Sequence, residues 1–415
     1  MKRGSTMTVL IIGAGQAAMQ TIQSLRQGGY AGGITLVGDE GFLPYQRPPL
    51  SKAYLSGKMD RDRLFFKPQS FFDDNNVTLH LDARAEEIDV TGGTVICNGL
   101  GALAFDTLVL ATGSRPRPLP LPNRALSGIF NLRGMGDIDA IQPHFQAGKS
   151  LAIIGGGYIG LEAAAVAAQT GLSVNVFEAA PRLLARVAEP EISDFFHRLH
   201  SDNGVQFHLE SQIAGFTGAQ NGGITGIEMA SGDIIAADLA IVGIGILPNI
   251  ELAEAAGLTI DNGILVDECG RTSADNIYAA GDCTQHPNDL LGRRMRLESV
   301  PNAIEQGKTV ASAILGNPAP YHQVPWFWSD QYDIKLQIAG VPGKIDNKVL
   351  RGDDNGHSFA WFYFTGDRLT GVTAVNRPAE FMAGRQLIEK SLRDGLAVSP
   401  DNLRDETIKP KQWLT

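Results

Sequence analysis

One pattern occurs twice in this sequence and limits its possible folds more than any other feature. Short apolar runs at residues 9–12 and 151–154 each lead into a G-x-G-x-x-G/A segment. An Ala-rich stretch with helical spacing follows each segment, and second apolar runs come at 34–37 and 174–177. Strand, helix and strand in this order, with these residue types, predict two βαβ units.

The glycine-rich segments have the residue types that a dinucleotide pyrophosphate requires. The first glycine permits a tight turn, the second lets backbone N–H groups approach the phosphates, and the third position packs helix on strand. The helix N-terminus adds partial positive charge. These positions are Gly13, Gly15 and Ala18 in the first copy and Gly155, Gly157 and Gly160 in the second. One such segment is weak evidence, but two in the same context predict two dinucleotide sites.

An acidic residue follows the second strand of each unit. Asp39 lies 39 − 15 = 24 residues after Gly15, and Glu178 lies 178 − 157 = 21 residues after Gly157. Both spacings are close to the ~20 residues expected of an acid that binds an adenosine ribose. Two such sites imply two different dinucleotides, naturally a flavin and a nicotinamide. Two alanines follow Glu178 and favour NADH, although the nearby Arg182 leaves NADPH open.

Length and composition indicate a folded, multidomain chain. At about 150 residues per domain, 415 residues predict two to three domains, and 19% charged with 43% hydrophobic residues is ordinary globular composition. The net charge of −10 makes a nucleic-acid surface unlikely. No window has the roughly 18–20 apolar residues of a membrane-spanning helix. The first apolar run is too short for a secretory signal, and Met7 is a candidate native start, with residues 1–6 as an extension.

The cysteines and histidines suggest neither a redox pair nor a metal site. Cys97, Cys269 and Cys283 include no C-x-x-C pair, which favours a reducing, cytoplasmic compartment. Cys283 is interpreted as a small buried hydrophobe. His197 and His200 are three apart on a predicted helix and could form half a metal site, but a solvated helix face is the preferred interpretation. We expect no metal.

Several further segments, in chain order, resemble one family. They are FLPYQRPPLSK (42–52), VLATG (109–113), GIGILPN (243–249), IYAAGDC (277–283), ESVPNA (298–303) and PWFWSDQY (325–332). With them the chain resembles, over essentially its whole length, the putidaredoxin reductase-like NADH-dependent ferredoxin reductases of bacterial cytochrome P-450 and Rieske dioxygenase systems. The resemblance implies a glutathione-reductase-like α/β fold, with two Rossmann-like domains and a smaller α+β domain.

The same resemblance implies domain boundaries and site residues. An FAD-binding domain would comprise 1–117 and 246–325, an NADH-binding domain 118–245, and a C-terminal domain 326–415 that covers the flavin and docks ferredoxin. Lys52 and Glu162, expected to form an ion pair, would be the catalytic residues. The implied FAD contacts are Gly13, Gly15, Ala17, Asp39, Lys52, Ala85, Ala111, Thr112, Gly113, Arg133, Asp282 and Val300. The implied NADH contacts are Gly155, Gly157, Tyr158, Ile159, Gly160, Glu162, Glu178 and Gly245.

The C-terminal part is rich in aromatic residues. Alternating residues predict strands at 358–364 and 369–375, followed by a helix at 379–392. Trp326 and Trp328 are two apart, so they share one face of an extended segment. Either could dock a partner or shield the flavin.

The expected activity is hydride transfer from NADH to FAD and single-electron transfer to a [2Fe–2S] ferredoxin serving a monooxygenase or ring-hydroxylating dioxygenase. An acidic ferredoxin would need a locally basic face near Trp328, because the chain itself is acidic. Alternatives are a rubredoxin reductase, an NADH oxidase, an apoptosis-inducing-factor-like flavoprotein, or a non-enzymatic flavin-binding interaction protein. We expect a monomer or weak homodimer. The candidate docking cations are Arg293, Arg294, Arg296, Lys308, Lys335 and Arg385.

Overall fold

The computed structural model describes residues 7–220 and 222–414, so the possible extension at 1–6 lies outside the described residues. The strands are β1 (Val9–Ile12), β2 (Ile34–Val37), β3 (Val77–His80), β4 (Ala85–Asp89), β5 (Thr94–Cys97), β6 (Gly101–Ala104), β7 (Thr107–Leu110), β8 (Ser114–Pro116), β9 (Ile129–Asn131), β10 (Ser150–Ile154), β11 (Ser173–Phe177), β12 (Gln206–His208), β13 (Ile213–Gly218), β14 (Ile224–Met229), β15 (Ile234–Ala236), β16 (Leu239–Val242), β17 (Ile246–Pro248), β18 (Ile260–Asp261), β19 (Gly263–Leu265), β20 (Ile277–Ala279), β21 (Thr284–Asn288), β22 (Arg293–Met295), β23 (Trp326–Gln331), β24 (Ile334–Gly340), β25 (Asn347–Asp353), β26 (Ser358–Thr365) and β27 (Arg368–Val375).

Helices cover both parallel sheets and the C-terminal sheet. The α-helices are α1 (Gln16–Gln27), α2 (Gln69–Asp74), α3 (Met135–Ile141), α4 (Tyr158–Thr170), α5 (Pro190–Asp202), α6 (Glu251–Ala255), α7 (Val300–Ile314), α8 (Pro378–Arg393) and α9 (Pro400–Arg404). Short 3₁₀ helices are formed by Pro48–Ser51, Arg61–Arg63, Gln142–His144 and Pro410–Leu414. In the described part of the chain, none of the helices has the length and apolar character needed to cross a membrane.

The first βαβ unit builds a parallel sheet in the order β20-β7-β1-β2-β3. Its central strand β1 is wholly apolar and buried, as a strand covered on both faces must be. A Cβ at Gly307 would lie 2.8 Å from the carbonyl oxygen of Ala17, so this glycine allows α7 to approach α1 closely. Because all five strands are parallel, the carboxyl ends of β1, β7 and β20 meet at one edge.

The second βαβ unit builds a similar parallel sheet in the order β12-β11-β10-β16-β9. An antiparallel sheet, β13-β14-β15, lies beside it in sequence. The carboxyl ends of β10, β11 and β16 again meet at one edge. Strands β8 and β17 lie in the two segments that connect this unit with the first, and they pair with each other antiparallel.

The C-terminal segment forms an antiparallel sheet in the order β23-β24-β27-β26-β25, with α8 packed on β27. The strands predicted at 358–364 and 369–375 are confirmed as β26 and β27, and the predicted helix as α8. Two smaller sheets accompany the first unit: β4-β5-β6 is antiparallel, and β18-β19-β21-β22 is mixed, since β19 and β21 pair parallel. Two parallel α/β sheets with a smaller α+β part confirm the predicted fold class.

Candidate functional site

The first glycine-rich turn has a geometry that requires glycine. Gly13 has φ +101°, and a Cβ there would lie 2.2 Å from the carbonyl oxygen of Ala111. Gly15, the N-cap of α1, faces open space, since a Cβ there would meet nothing within 4 Å. Ala17 is buried in the first turn of α1. The turn therefore leaves room in front of the helix N-terminus, as a pyrophosphate group requires.

The second glycine-rich turn repeats this geometry. Gly155 has φ +109°, and its Cβ would lie 2.5 Å from the carbonyl oxygen of Gly243. A Cβ at Gly160 would lie 2.4 Å from the carbonyl oxygen of Gly155, whereas Gly157 faces open space. The residues present thus fit two dinucleotides, one at each helix N-terminus.

A polar cluster forms at the carboxyl edge of the first sheet. Asp282, which follows β20, accepts hydrogen bonds from Ser114 Oγ at 2.7 Å and from Arg133 Nη2 at 3.3 Å. Arg133 also donates through Nε to the Ser114 carbonyl at 3.0 Å. Burial lowers the pKa of Arg133 below its ordinary value. Asp282 and Arg133, far apart in sequence, therefore meet beside the first glycine-rich turn.

The crossing between the two units begins at Thr112 and Gly113. Thr112 donates through Oγ1 to the carbonyl of Asn249 at 2.7 Å, and Asn249 donates through Nδ2 to the carbonyl of Thr112 at 2.8 Å. This reciprocal pair holds together the segments leading into and out of the second unit. Gly113 has φ +63°, which favours glycine. Asn249 is a site residue that was not predicted, although it lies within the quoted GIGILPN segment.

The remaining predicted FAD residues lie at element ends. Asp39 is exposed two residues after β2, and Ala85 is half-buried at the start of β4. Val300 begins α7, whose N-cap Ser299 accepts a hydrogen bond from the backbone N–H of Asn302 at 3.3 Å. The roles of Asp39, Ala85 and Val300 as FAD contacts stay predictions.

Glu178 is held against the second glycine-rich turn. Its Oε2 accepts from the backbone N–H of Gly156 at 2.7 Å, and its Oε1 from that of Ala180 at 2.8 Å. The guanidinium of Arg182 instead donates to the Ala188 carbonyl and to Ser193 Oγ, at 2.8 and 2.6 Å. The Arg182 guanidinium thus binds the loop before α5 and α5 itself.

The other predicted NADH residues surround the N-terminus of α4. The ring of Tyr158 packs on Phe327 with centroids 4.5 Å apart, and Ile159 is exposed. Gly245 follows β16 with φ +104°, and its carbonyl accepts from the backbone N–H of Arg117 at 2.9 Å. They lie at the carboxyl edge where β10 and β16 end.

Lys52 and Glu162 form the predicted ion pair. Lys52 follows the 3₁₀ helix Pro48–Ser51 of the first unit, and Glu162 is on α4 of the second. Lys52 Nζ lies 2.7 Å from Glu162 Oε2, well within the ~6 Å over which opposite charges interact strongly. Ser51 Oγ donates to the same oxygen. Glu162 is only 3% exposed, so this buried carboxylate connects the two units.

Glu162 also receives a hydrogen bond from the C-terminal sheet. Ser329 Oγ on β23 donates to Glu162 Oε1 at 2.6 Å, and Gln331 Nε2 donates to Ser329 Oγ at 3.1 Å. Beyond Gln331 lies His200 of α5, whose Nε2 is 2.7 Å from Gln331 Oε1. Ser51, Ser329, Gln331 and His200 were not predicted as site residues.

The expectation of a solvated histidine face on α5 is wrong for His200. This residue is fully buried, and burial lowers its pKa to about 4, whereas His197 is half-buried. The sequence did contain a signal, because His200 follows Ile192 and Phe196 at intervals of eight and four in the buried stripe of the helix. Within the described ranges, no group of three or more His, Cys, Asp or Glu is placed to hold a metal ion.

Trp326 and Trp328 share one face of β23, as predicted, with ring centroids 5.7 Å apart. The guanidinium of Arg385, on α8, lies over Trp326 at 5.5 Å. Lys308, on α7, pairs with Glu305 at 2.8 Å. Pro301, Glu305, Trp326 and Arg385 line one shallow depression.

The other candidate cations are more scattered. Arg293 and Arg294 are exposed on β22, and Arg296 pairs with Glu298. Lys335 pairs with Asp330 at 3.5 Å, near the turn of the β23–β24 hairpin. Trp326 is paired at the opposite end of that hairpin, so Lys335 is separated from the tryptophan–arginine stack.

Cys283 is fully buried, as predicted, with its S–H directed at the Leu110 carbonyl 3.6 Å away. Burial raises the pKa of this thiol, which therefore stays protonated near pH 7. All three cysteines are free.

The fold and the two glycine-rich turns define a two-dinucleotide oxidoreductase. Residues 7–307 match the pyridine nucleotide-disulphide oxidoreductase family, and residues 326–414 match the reductase C-terminal family. The chain belongs to the pyridine nucleotide-disulphide oxidoreductases, and it is an FAD-containing enzyme that uses NAD(H).

Three known proteins are similar over nearly their whole length. Rhodocoxin reductase of Rhodococcus erythropolis is 44% identical, over 92% of this chain and 89% of that protein. A rubredoxin-NAD(+) reductase of Pseudomonas putida is 38% identical, over 90% and 96%. The crystal structure of the covalent putidaredoxin reductase–putidaredoxin complex matches with a TM-score of 0.95 and 38% identity, covering 99% of both chains. The predicted resemblance is confirmed.

Proposed function

We propose that this protein is an NADH-dependent ferredoxin reductase, which passes electrons from NADH through FAD to a [2Fe–2S] ferredoxin serving a cytochrome P-450 or Rieske oxygenase. The similarity over nearly the whole chain to rhodocoxin reductase and to putidaredoxin reductase carries this proposal. The Lys52–Glu162 pair, which connects the two dinucleotide units at 2.7 Å, supports the transfer between the two dinucleotides. When bound, FAD accepts a hydride from NADH and returns two electrons singly with release of one proton. The protein's task is to orient the two dinucleotides and to stabilise the charge that develops.

The first unit is proposed to bind FAD and the second NADH. The first would comprise 1–117 and 246–325, the second 118–245, and 326–415 would cover the flavin. Gly13, Gly15 and Asp282 would face the FAD phosphates and ribityl chain. The other proposed FAD contacts are Ala17, Asp39, Lys52, Ala85, Ala111, Thr112, Gly113, Arg133 and Val300. The proposed NADH contacts are Gly155, Gly157, Tyr158, Ile159, Gly160, Glu162, Glu178 and Gly245.

Lys52 and Glu162 have different proposed roles. The Lys52 ammonium would stabilise negative charge on a bound flavin, and the Glu162 carboxylate holds that ammonium in place from α4. Breaking the pair would leave a 3% exposed carboxylate with hydroxyl donors alone. The pair therefore tunes hydride transfer without acting as an acid or a base.

NADH is the proposed nicotinamide substrate. A free ribose 2′-hydroxyl can donate to the Glu178 carboxylate, whereas a 2′-phosphate would be repelled by it. Arg182 is the nearby cation that could offset this repulsion, but its guanidinium is engaged with Ala188 and Ser193. NADH and unpaired cysteines both suit a cytoplasmic enzyme. We propose a monomer or weak homodimer.

The proposed docking face comprises Trp326, Trp328, Lys308 and Arg385. An acidic ferredoxin approaching a chain of net charge −10 needs local positive potential. The stacked Arg385 and Trp326 provide a cation beside an aromatic surface. A rubredoxin is the second candidate acceptor, because of the similar rubredoxin-NAD(+) reductase.

Charge reversal tests the docking face. Arg385→Glu and Lys308→Glu should each lower kcat/KM for the ferredoxin and weaken its dependence on ionic strength, while NADH–ferricyanide turnover stays unchanged. Arg393→Glu is the matched control, because Arg393 lies on the same helix two turns further on and pairs with exposed Glu389 at 3.0 Å. Unchanged rates and salt dependence in the first two variants would refute the docking face.

A second assay tests the acceptor itself. Oxidation of NADH is followed by stopped flow with a [2Fe–2S] ferredoxin, a rubredoxin and O₂ offered in turn. We expect a strong preference for the ferredoxin. Preference for rubredoxin would favour the second candidate, and fast turnover on O₂ alone would contradict both.

A further inference from the structure

A line of hydrogen bonds runs from Tyr332 to Glu162 through the interior. Tyr332 OH lies 3.2 Å from His200 Nδ1, and His200 Nε2 lies 2.7 Å from Gln331 Oε1. Gln331 Nε2 lies 3.1 Å from Ser329 Oγ, which lies 2.6 Å from Glu162 Oε1. His200, Gln331 and Ser329 are all at most 1% exposed. The line thus connects the turn after β23 with the Lys52–Glu162 ion pair.

The polarity of this line is fixed at its inner end. A carboxylate paired with Lys52 can only accept, so the single hydroxyl proton of Ser329 must point at Glu162. Ser329 Oγ then accepts from the amide nitrogen of Gln331, which turns the amide oxygen towards His200. An amide oxygen only accepts, so His200 must carry its proton on Nε2. Its Nδ1 is then an acceptor for the Tyr332 hydroxyl.

Every donor in the line therefore points towards Glu162. The line does not conduct protons, because the Gln331 amide cannot pass a proton from its oxygen to its nitrogen without becoming an imidic acid. His200 is also uncharged near pH 7, since burial lowers its pKa to about 4. The remaining role for this line of hydrogen bonds is to orient the Glu162 carboxylate at its inner end.

The outer end of the line is held by strained backbone. Tyr332 is the first residue of the two-residue turn between β23 and β24, and it has φ +55°. Bulky side chains rarely adopt this left-handed conformation. The turn directs the phenol towards His200, and the two rings meet edge-on with centroids 5.0 Å apart. The unfavourable backbone conformation of Tyr332 thus allows its hydroxyl to reach His200 at the outer end of the line.

We propose that Ser329, oriented through Gln331 and His200, is a positioning residue that fixes the Glu162 carboxylate and thereby keeps Lys52 aligned for hydride transfer. This inference rests on the role proposed for Lys52 and Glu162. It assigns a function to β23 that is separate from docking, because Ser329 faces inward between two outward-facing neighbours. The C-terminal sheet then contributes directly to the geometry of the dinucleotide site.

The first test measures the polarity and needs no turnover. The holoenzyme is labelled with ¹⁵N-histidine, and the tautomer of each of its 8 histidines is read from long-range ¹H–¹⁵N correlations. The His200 signals are assigned with His200→Gln or, if that variant does not fold, by removing the other buried ring with His286→Phe. We expect the Nε2–H tautomer. The Nδ1–H tautomer would reverse every link, so that Ser329 would donate to Gln331, and it would overturn the proposal.

The second test measures the rate constant for flavin reduction by NADH under anaerobic rapid mixing. Ser329→Ala should lower it about tenfold, since one hydrogen bond to a charged group is lost, while the Kd for NADH changes less than about twofold. Ser329→Thr keeps the hydroxyl and should restore the rate. Ser391→Ala is the matched control, because Ser391 is a buried serine of the same sheet-and-helix unit that bonds to Leu369 instead. It should match the wild-type rate.

A double variant separates the positioning role of Ser329 from the role proposed for the Lys52–Glu162 pair. If Ser329 acts through Glu162, then adding Ser329→Ala to Glu162→Gln should cause no further loss. A slow Glu162→Gln with a wild-type-like Ser329→Ala would overturn the positioning role alone. A wild-type rate in Glu162→Gln would overturn the role proposed for the ion pair and the inference built on it.

Discussion

In the two glycine-rich turns, alanine at Gly15 or Gly157, which face open space, should have a different effect from alanine at a glycine that lies against backbone, such as Gly155. Gly157→Ala keeps an ordinary φ of −83° and places its Cβ where nothing lies within 4 Å. Alanine is a somewhat weaker N-cap than glycine but restricts the unfolded chain more, so the free energy of unfolding should change by less than about 1 kcal/mol. The methyl group instead occupies the space proposed for the NADH pyrophosphate.

The expected loss is therefore in binding. One or more charge-assisted hydrogen bonds to the phosphates, worth about 1.5–3 kcal/mol each, would be lost, which predicts a Kd for NADH about 10- to 100-fold higher. Gly155→Ala should behave differently. It forces alanine to φ +109° with its Cβ 2.5 Å from the carbonyl oxygen of Gly243, so it should lower the free energy of unfolding by about 2–5 kcal/mol.

The assay titrates NADH against the flavin spectrum and follows thermal unfolding in parallel. Gly15→Ala is the matched control in the first unit, since its Cβ also meets nothing within 4 Å. It should release FAD during gel filtration and leave the second unit intact. Wild-type NADH affinity in Gly157→Ala would refute the reasoning. If Gly15→Ala weakened NADH binding and Gly157→Ala released FAD, the first unit would bind NADH and the second FAD.

Three further predictions concern specificity and stability. Glu178→Ala should reduce the ratio of kcat/KM for NADH over NADPH at least about tenfold, because a carboxylate that repels a 2′-phosphate is removed, as paired steady-state assays would show. Arg351→Met should lower the free energy of unfolding by about 3–5 kcal/mol, measured by urea denaturation, because it leaves buried Glu380 with one partner fewer and frees the carbonyls of the C-terminal tail. For His286, burial lowers the pKa from 6.5 to about 4 in the folded state, so its stability contribution is complete above pH 6.5 and is lost as the pH falls towards 4. Between pH 7.5 and pH 5, the free energy of unfolding should therefore fall by about 2 kcal/mol less in His286→Phe than in wild type, measured by urea denaturation. An equal fall in the two proteins would contradict this.

The parts of the site that follow local rules could be predicted from the sequence. The glycine at φ +101° and the open N-cap of α1 depend on residues within one turn, and both turns have the same pattern. The strands before them are short and apolar, so their burial follows from hydrophobicity alone. Even so, the partner of Lys52 came from family resemblance, because Glu162 is 110 residues away.

The rest depends on contacts between distant segments. Ser329 lies 167 residues from Glu162, and no spacing rule connects a serine on an edge strand with a carboxylate in another unit. The prediction for His200 was wrong because it followed the polarity of the imidazole and not the position of the residue on the buried face of the helix. Its place in the buried stripe of α5 predicted burial, and burial of a ring with two nitrogens predicts partners for both.

Stability does not explain why Lys52 and Glu162 form a largely buried ion pair between separate parts of the chain. Removing two charges from water costs several kcal/mol, and an apolar pair of similar volume would commonly be as stable or more so. An apolar pair would, however, tolerate sliding of the segments that carry it. The Glu162 carboxylate accepts from Ser51 and Lys52 of the first unit and from Ser329 of the C-terminal sheet, and each of these hydrogen bonds constrains the position of its donor. A single carboxylate on α4 thereby fixes three parts of the chain relative to one another, and hydride transfer between two bound dinucleotides needs such a fixed geometry.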